Sequence, residues 1–294
     1  MRLARFQHEG DNPQLGIVQG DRVYPISAVD KTLPSDDLVA LMGALDERGL
    51  ATLPVPSSDA PSFSLSEVRL LAPVERPHHD ILCLGVNYAA HVAEMGRGLT
   101  DSGTFEQPPA AIYFSKRASR VLGPDDVIEF REDLDPNLDY EAELAVIIGK
   151  GGKHIPADEV EQHIFGYSVF NDLSSRGLQK KHVQWFLGKS VDTYTAMGPV
   201  VVTRDELPFP LELGISSTVN GEPRQDSNTR LLIHGIAEVV SELSDAVTLE
   251  CGDIIATGTP SGVGMGFEPP RFLTHGDSVT CAIEGIGELT NTVR

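Results

Sequence analysis

The chain has 294 residues, 40% of them apolar and 22% charged, and a formal net charge of −20. This is the composition of a soluble globular protein, with length for one large domain and a small companion, or for two domains. The negative charge argues against nucleic acid or an anionic membrane surface as a partner, because both require basic patches that displace counterions.

No run approaches the roughly 18 to 20 apolar residues of a membrane span. Met1-Arg2-Leu3-Ala4-Arg5 is not followed by the apolar stretch of a secretion signal. A cytoplasmic protein is expected. Cys83, Cys251 and Cys281 are isolated and odd in number, and fit neither a disulfide framework nor a Cys-x-x-Cys motif.

In chain order, Arg2–Phe6, Leu15–Gln19 and Arg22–Ile26 read as strands, the last two joined as a hairpin across Gly20-Asp21. Asp36–Arg48 reads as a short helix closed by Gly49. Residues 50–67 are rich in Pro, Ser and Asp without a period and read as a linker ending near Leu71-Ala72-Pro73. Residues 1–72 are thus expected to be a small N-terminal α+β domain with its linker, and residues 73–294 a second domain. From Ile81 onward, short apolar strands are separated by Gly, Pro and Asp: Ile81–Leu84, Ala111–Phe114, Val127–Phe130, Leu138–Ile148 and Gly166–Asn171. Helices are expected at Tyr88–Met95, at about Asp158–His163, and at Thr229–Leu243, whose Leu232, Ile233, Ile236, Val239, Val240 and Leu243 recur at helical spacing. Asp277–Glu284 and Glu288–Val293 form a hairpin. The count favours a β-rich α+β fold.

Four stretches offer chemistry. Glu141 and Glu143 alternate on a strand, so their side chains share a face, and Asp172 follows the next apolar segment. Beyond them Ala145–Ile148 is apolar on both faces and enters a core. Carboxylates this close to low-dielectric surroundings call for a hard divalent cation, although an isolated Glu-x-Glu is more often a solvated face. In Gly85-Val86-Asn87-Tyr88-Ala89-Ala90-His91-Val92-Ala93-Glu94-Met95-Gly96, Asn87 can cap a short helix that Gly96 ends. His91 and Glu94 then share one face at i and i+3, either as a base with its orienting carboxylate or as a surface pair. Gly188-Lys189-Ser190 is not a phosphate loop, because position 183 is Val rather than Gly. Thr257-Gly258-Thr259-Pro260 opens a Gly-rich loop able to approach a ligand closely, without the helix of a dinucleotide fingerprint.

Taken in this order, Gly-Val-Asn-Tyr-x-x-His-x-x-Glu, Asp-Tyr-Glu-x-Glu-Leu, Asn-Asp-x-Ser-x-Arg-x-x-Gln with the later Gln-Trp and Gly-Lys-Ser, and Gly-Asp-x-Ile-x-Thr-Gly-Thr-Pro resemble the fumarylacetoacetate hydrolase family from about Pro73 to Arg294. The resemblance implies a mixed β-roll catalytic domain, usually in a homodimer, with Mg²⁺, or else Mn²⁺ or Ca²⁺, held by Glu141, Glu143 and Asp172. It also implies His91 and Glu94 as a water-activating pair on a lid-like segment, and Lys189 as a catalytic or orienting cation. Lys116, Arg176, Gln179 and Thr259 are implied to lie near the ligand. The sequence departs from the family pattern at Gly177, where many relatives carry Asp, and at Arg117, where Pro is common.

Three carboxylates leave about three positions on an octahedral Mg²⁺ for a small anionic 2-oxo acid and a water. The expected activity is hydrolysis of the C3–C4 bond of a 2,4-dioxo acid to pyruvate and a carboxylic acid. The candidates are an acylpyruvate, an aromatic ring-cleavage product and a diketo-deoxy sugar acid. Oxaloacetate decarboxylation and keto–enol isomerisation use the same electron sink and are the alternative. A non-catalytic protein that binds a keto acid is the third expectation. A zinc hydrolase is disfavoured by a ligand set of hard oxygens alone.

Overall fold

The computed structural model describes residues 1–48, 53, 55–57, 59–99, 105–106 and 109–294. Its strands are β1 (Arg2–His8), β2 (Gln14–Gln19), β3 (Arg22–Pro25), β4 (Phe63–Ser64), β5 (Val68–Leu71), β6 (Ile81–Gly85), β7 (Ile112–Lys116), β8 (Val127–Ile128), β9 (Leu138–Asp139) and β10 (Ala142–Ile148). They continue as β11 (Ile164–Asn171), β12 (Ser174–Ser175), β13 (Ala196–Thr203), β14 (Gly214–Val219), β15 (Glu222–Asn228), β16 (Ile254–Ala256), β17 (Ser278–Ile283) and β18 (Gly287–Val293). The helices are α1 (Ile26–Val29), α2 (Leu38–Arg48), α3 (Ala89–Leu99), α4 (Val160–His163), α5 (Arg176–His182), α6 (Phe186–Lys189) and α7 (Ile236–Ala246).

The fold is β-rich α+β. A large mixed sheet runs β4-β3-β2-β1-β13-β11-β10-β16-β6-β7, with β5 also paired to β1. A five-stranded sheet runs β15-β14-β17-β18-β8, and β12 pairs with β9. In the centre of the large sheet β10 is antiparallel to both β11 and β16, while β16 and β6 are parallel. β10 is buried along its whole length. Its even residues Leu144, Val146 and Ile148 join one core with Ile215, Val279 and Ile283 of the five-stranded sheet. Its odd residues Ala145 and Ile147 join a second core with Leu38, Leu41 and Met42 of α2. Strand alternation therefore assigns the two faces of β10 to two different layers.

The N-terminal strands extend this sheet, because β1 pairs with β13 as well as with β2 and β5. Leu3, Leu15 and Ile17 lie in the same core as Ala145 and Phe165. The expected hairpin is β2 and β3, and the C-terminal one is β17 and β18. Gly49, expected to close α2, lies outside the described residues, as does part of the expected linker.

Three expected elements differ. The strand foreseen over Leu138–Ile148 breaks after Asp139, because Asp139 Oδ1 accepts the Tyr140 N–H (2.9 Å) and Asn171 Oδ1 accepts the Glu141 N–H (3.1 Å). The helix foreseen from Thr229 starts at Ile236. Before it, Thr229, Ile233 and His234 donate their N–H groups to Leu213 O, Asn87 O and Asn87 Oδ1 rather than to a helical ladder. α3 runs through Gly96 to Leu99. Asn87 does not cap it, since its side chain is taken up by the His234 backbone and by Thr257 O. Among the described residues no helix is long and apolar enough to cross a membrane.

Candidate metal centre and active site

Glu141 and Glu143 continue the odd-numbered face of β10 at the point where the strand emerges from its core. The antiparallel register sets Ala142 opposite Asn171, so Asp172 arrives one residue beyond β11, its N–H donated to Glu141 O at 3.0 Å. One carboxylate oxygen from each of Glu141, Glu143 and Asp172 lies within 4.8 Å of the other two, and all three residues are buried. The structure thus brings together the three acids that the sequence suggested.

Three cations back this cluster. Lys189 Nζ, delivered by α6, lies 2.6 Å from Glu141 Oε2 and 2.6 Å from Asp172 Oδ2. Lys116 Nζ, at the end of β7, donates to Asp172 Oδ1 at 2.6 Å and to Leu173 O at 2.8 Å. Arg176, at the start of α5, pairs with Glu141 Oε1 at 2.6 Å and donates Nε to Asp139 Oδ2 at 2.8 Å. Burial opposes ionisation of Glu141, but Lys189, Arg176 and His91 more than offset it and hold its pKa at about 2. Burial alone would lower the Lys189 pKa, yet Asp172 and Glu141 raise it, so the ammonium stays charged. At Lys116 burial and the charge of Lys189 prevail over Asp172, and its pKa is lowered.

Glu143 is different. It is 1% exposed, accepts the Gly258 N–H at 2.9 Å, and among the described residues makes no ion pair. Burial, followed by repulsion from Asp172 and Glu141, pushes its pKa well above the ordinary 4.5. The cluster of Asp139, Glu141, Glu143 and Asp172 against Lys116, Arg176 and Lys189 therefore leaves one carboxylate uncompensated. A hard divalent cation fits that deficit and that donor set of buried oxygens.

His91 and Glu94 lie on α3, with His91 Nδ1 2.9 Å from Glu94 Oε2. Glu94 Oε1 accepts the Gly262 N–H at 2.8 Å, which fixes the carboxylate from behind. Both residues are buried, so this is no surface pair. His91, Glu141, Glu143, Gln179, Lys189 and Thr259 share one cleft with Leu84, Gly85, Val86, Met95, Phe114 and Trp185. Gln179 Oε1 accepts from Arg176 Nη1 at 3.0 Å, which leaves its amide NH₂ as the donor end. Thr259 Oγ1 donates to Ala142 O at 2.9 Å and accepts from Gln225 at 2.7 Å. Lys116 and Arg176, expected near the ligand, are not among the residues lining this cleft. They stand behind the acids, with their charged groups already engaged.

Sequence reasoning passed over several supports. Asp139 accepts from the Gly264 N–H (2.6 Å) and the Met265 N–H (3.1 Å) and binds Arg176, tying the Gly-rich loop to the triad. Its place two residues before Glu141 was the available signal. Gln225 accepts the Ala142 N–H at 3.0 Å and donates to Thr259 and Pro260, a link between distant segments that no local pattern marks. At Gly177 the expected Asp is replaced in space by Asp135, whose carboxylate accepts the Gly177 N–H and the Ser175 hydroxyl, both at 2.6 Å. A Cβ at 177 would stand 2.5 Å from Asp135 Oδ1, so glycine and Asp135 suit each other. Arg117 is exposed, and only its backbone N–H reaches inward, to Ser190 Oγ at 3.0 Å.

Comparison with known proteins agrees with this geometry. The chain is 45% identical to oxaloacetate tautomerase YisK of Bacillus subtilis over 240 residues, 81% of this chain and 78% of that protein. It is 40% identical to the mitochondrial oxaloacetate tautomerase FAHD2A of Bos taurus over 302 residues, 100% of this chain and 91% of the relative. Maleylpyruvate hydrolase from Sphingobium sp. SYK-6, solved in complex with manganese(II) ion and pyruvate, superposes with a TM-score of 0.76 at 30% identity, covering 100% of this chain and 98% of that one. Residues 1–73 match the Rv2993c-like N-terminal family. Residues 80–294 match the fumarylacetoacetate (FAA) hydrolase C-terminal family, and the chain belongs to the fumarylacetoacetate hydrolase family.

Proposed function

We propose that the protein is a metal-dependent tautomerase that interconverts the keto and enol forms of a small 2-oxo acid, with oxaloacetate as the leading substrate. One observation carries this reading: Glu141 and Glu143 of the buried carboxylate triad line the same cleft as His91 of the buried His–Glu pair. The names of the two relatives, both oxaloacetate tautomerases, support the same choice over hydrolysis.

A divalent cation held by Glu141, Glu143 and Asp172, Mg²⁺ or Mn²⁺, would supply a Lewis acid for the carboxylate and 2-oxo oxygens of the substrate, favouring enolisation. In enolisation His91, oriented by Glu94, takes the proton from C3 and delivers it to the C2 oxygen; in ketonisation it takes the enol O–H proton and delivers it to C3, the ordinary task of an imidazole beside a carboxylate. Lys189, kept charged by Asp172 and Glu141, offers a fixed positive field to the enol oxygen. The Gln179 amide donates to the anionic end of the substrate. Lys116 and Arg176 hold the acids in place from behind.

The second reading is hydrolysis of a 2,4-dioxo acid, with the His91–Glu94 pair activating a water. It is supported by the likeness to a maleylpyruvate hydrolase. Purified protein with Mg²⁺ is offered enol-oxaloacetate, followed by loss of enol absorbance, and acylpyruvates, followed by pyruvate formation. Accelerated ketonisation without pyruvate release is expected. Pyruvate from acylpyruvates with uncatalysed ketonisation establishes the hydrolase, and CO₂ release from oxaloacetate a decarboxylase. We also propose a homodimer, as the family resemblance implies, which sedimentation of the purified chain tests.

A further inference from the structure

Half of the cleft wall is apolar, and its composition is specific. Trp185 stands at the N-terminus of α6, four residues before Lys189. Its indole makes an edge contact with Phe114, ring centroids 5.3 Å apart at 70°, and the same Phe114 ring lies 5.2 Å from Lys189 Nζ. The indole also presses on Gly85, where an added Cβ would stand 2.2 Å from Cζ3. It also packs against the small cluster of Val86, Met95, Val263 and Met265, separate from the two main cores. Met95, the neighbour of Glu94 on α3, belongs to that cluster and lines the same cleft, while the ring itself meets the strand end at Gly85 and the aromatic under Lys189.

The edge of the indole that meets Gly85, Cζ3 and Cη2, is hydrocarbon. What it contributes to the cleft is shape. We propose that Trp185 is a specificity-determining residue, whose indole closes the apolar end of the cleft and limits the carbon chain that a 2-oxo acid can carry beyond C3. The inference rests on the proposed binding of a 2-oxo acid at the carboxylate triad. It adds that the size limit comes from one ring, wedged in place by a glycine that no larger residue can replace without moving it. Each methylene admitted or refused by an apolar wall changes affinity by roughly tenfold or more.

Trp185 is the single tryptophan of the chain, so its emission reports on this wall alone. Mg²⁺-loaded protein is titrated with oxalate, pyruvate, 2-oxobutyrate, 2-oxovalerate and 2-oxohexanoate, with binding read by calorimetry and, for the wild type, by Trp185 emission. The wild type is expected to bind the short acids, with a change in emission at saturation, and to lose affinity steeply as the chain lengthens. In Trp185→Ala the ratio of 2-oxohexanoate to pyruvate affinity is expected to rise about tenfold or more, while Trp185→Phe keeps most of the discrimination. Gly85→Ala, which displaces the ring without deleting it, is expected to shift the emission and alter the same ratio. If Trp185→Ala and Gly85→Ala both keep the wild-type dependence on chain length, or if calorimetric saturation leaves the emission unchanged, the assignment of Trp185 is overturned and binding at the triad stands. If no oxalate or 2-oxo acid binds the Mg²⁺-loaded wild type, the proposed function falls and takes this inference with it.

Discussion

His91 Nδ1 lies 2.9 Å from Glu94 Oε2, in a buried pair whose carboxylate is held from behind by the Gly262 N–H. The arrangement fixes the ring and leaves Nε2 as the nitrogen available to a substrate. Glu94→Gln keeps the volume and an oxygen for Gly262 but removes the charge that stabilises an imidazolium. The rate of ketonisation should fall by about 10²–10⁴-fold, with kcat and kcat/KM falling together because the loss is confined to the transition state. Steady-state kinetics measure this, and an undiminished kcat removes the pair from the mechanism.

Glu143 allows a test of the cation that does not depend on activity. In the folded protein burial and the charges of Asp172 and Glu141 raise its pKa well above 4.5. The folded state therefore binds this proton more tightly than the unfolded state. The stability that results is complete below pH 4.5 and is lost as pH rises through the raised pKa. A divalent cation replaces the proton, so the gain in Tm on adding Mg²⁺ or Mn²⁺ should grow with pH. Glu143→Gln can still accept the Gly258 N–H and carries no charge. Without metal it should melt above the wild type at pH 8, each 1 kcal/mol appearing as about 2–4 °C, and it should gain little from added cation. A metal-stripped wild type that melts higher than the variant at pH 8 would contradict the uncompensated charge.

Gly258 joins the loop to this acid. Its φ is +94°, and an added Cβ would stand 2.8 Å from Asn87 Cβ. Among the described residues its N–H is the one hydrogen bond that Glu143 receives. Gly258→Ala forces a side chain into a conformation that disfavours one, with a cost of about 1 kcal/mol or more, and moves the donor away from Glu143. Chemical denaturation should show the lost stability, and calorimetry a weaker uptake of Mg²⁺.

How much of this was legible in the sequence follows from where the information lies. Glu141, Glu143 and Asp172 could be read because strand alternation sets the two glutamates on one face and the next apolar strand, antiparallel to the first, delivers Asp172 beside them. The His91–Glu94 pair followed from helical spacing. Lys189 lay in a recognisable Gly-Lys-Ser, but its contact with Glu141 and Asp172 depends on α5 and α6, short helices without an apolar period. Gln225 and Asn87 were illegible for another reason. Each satisfies backbone groups far along the chain, Gln225 at Ala142 and Pro260, Asn87 at His234 and Thr257, and no local pattern encodes such partners. The same long-range bonds explain why α7 starts at Ile236 and not at Thr229. Lys116 and Arg176 were placed near the ligand by resemblance alone, and spacing carried no sign that their charges are used on Asp172, Asp139 and Glu141.

The turn that delivers Trp185 and Lys189 stores strain. Val183 has φ 62° and ψ −51°, and the Gln184 N–H donates to His182 O at 2.5 Å, which together define the rare γ-turn of positive φ. A β-branched residue in that conformation is strained by about 1–3 kcal/mol, and Val183 is 79% exposed, so little packing offsets it. Val183→Gly removes the steric cost but adds about 1 kcal/mol of backbone entropy to the unfolded chain. The net effect should be a protein as stable as the wild type or more so by about 1 kcal/mol, against the usual sign of a substitution to glycine. The added freedom between α5 and α6 should loosen Trp185, seen as a red-shifted, more readily quenched emission in the ligand-free protein. Denaturant titration reads the first effect and acrylamide quenching the second. A loss of more than about 1 kcal/mol would mean that Val183 is not strained and that the turn is held by contacts of the valine itself.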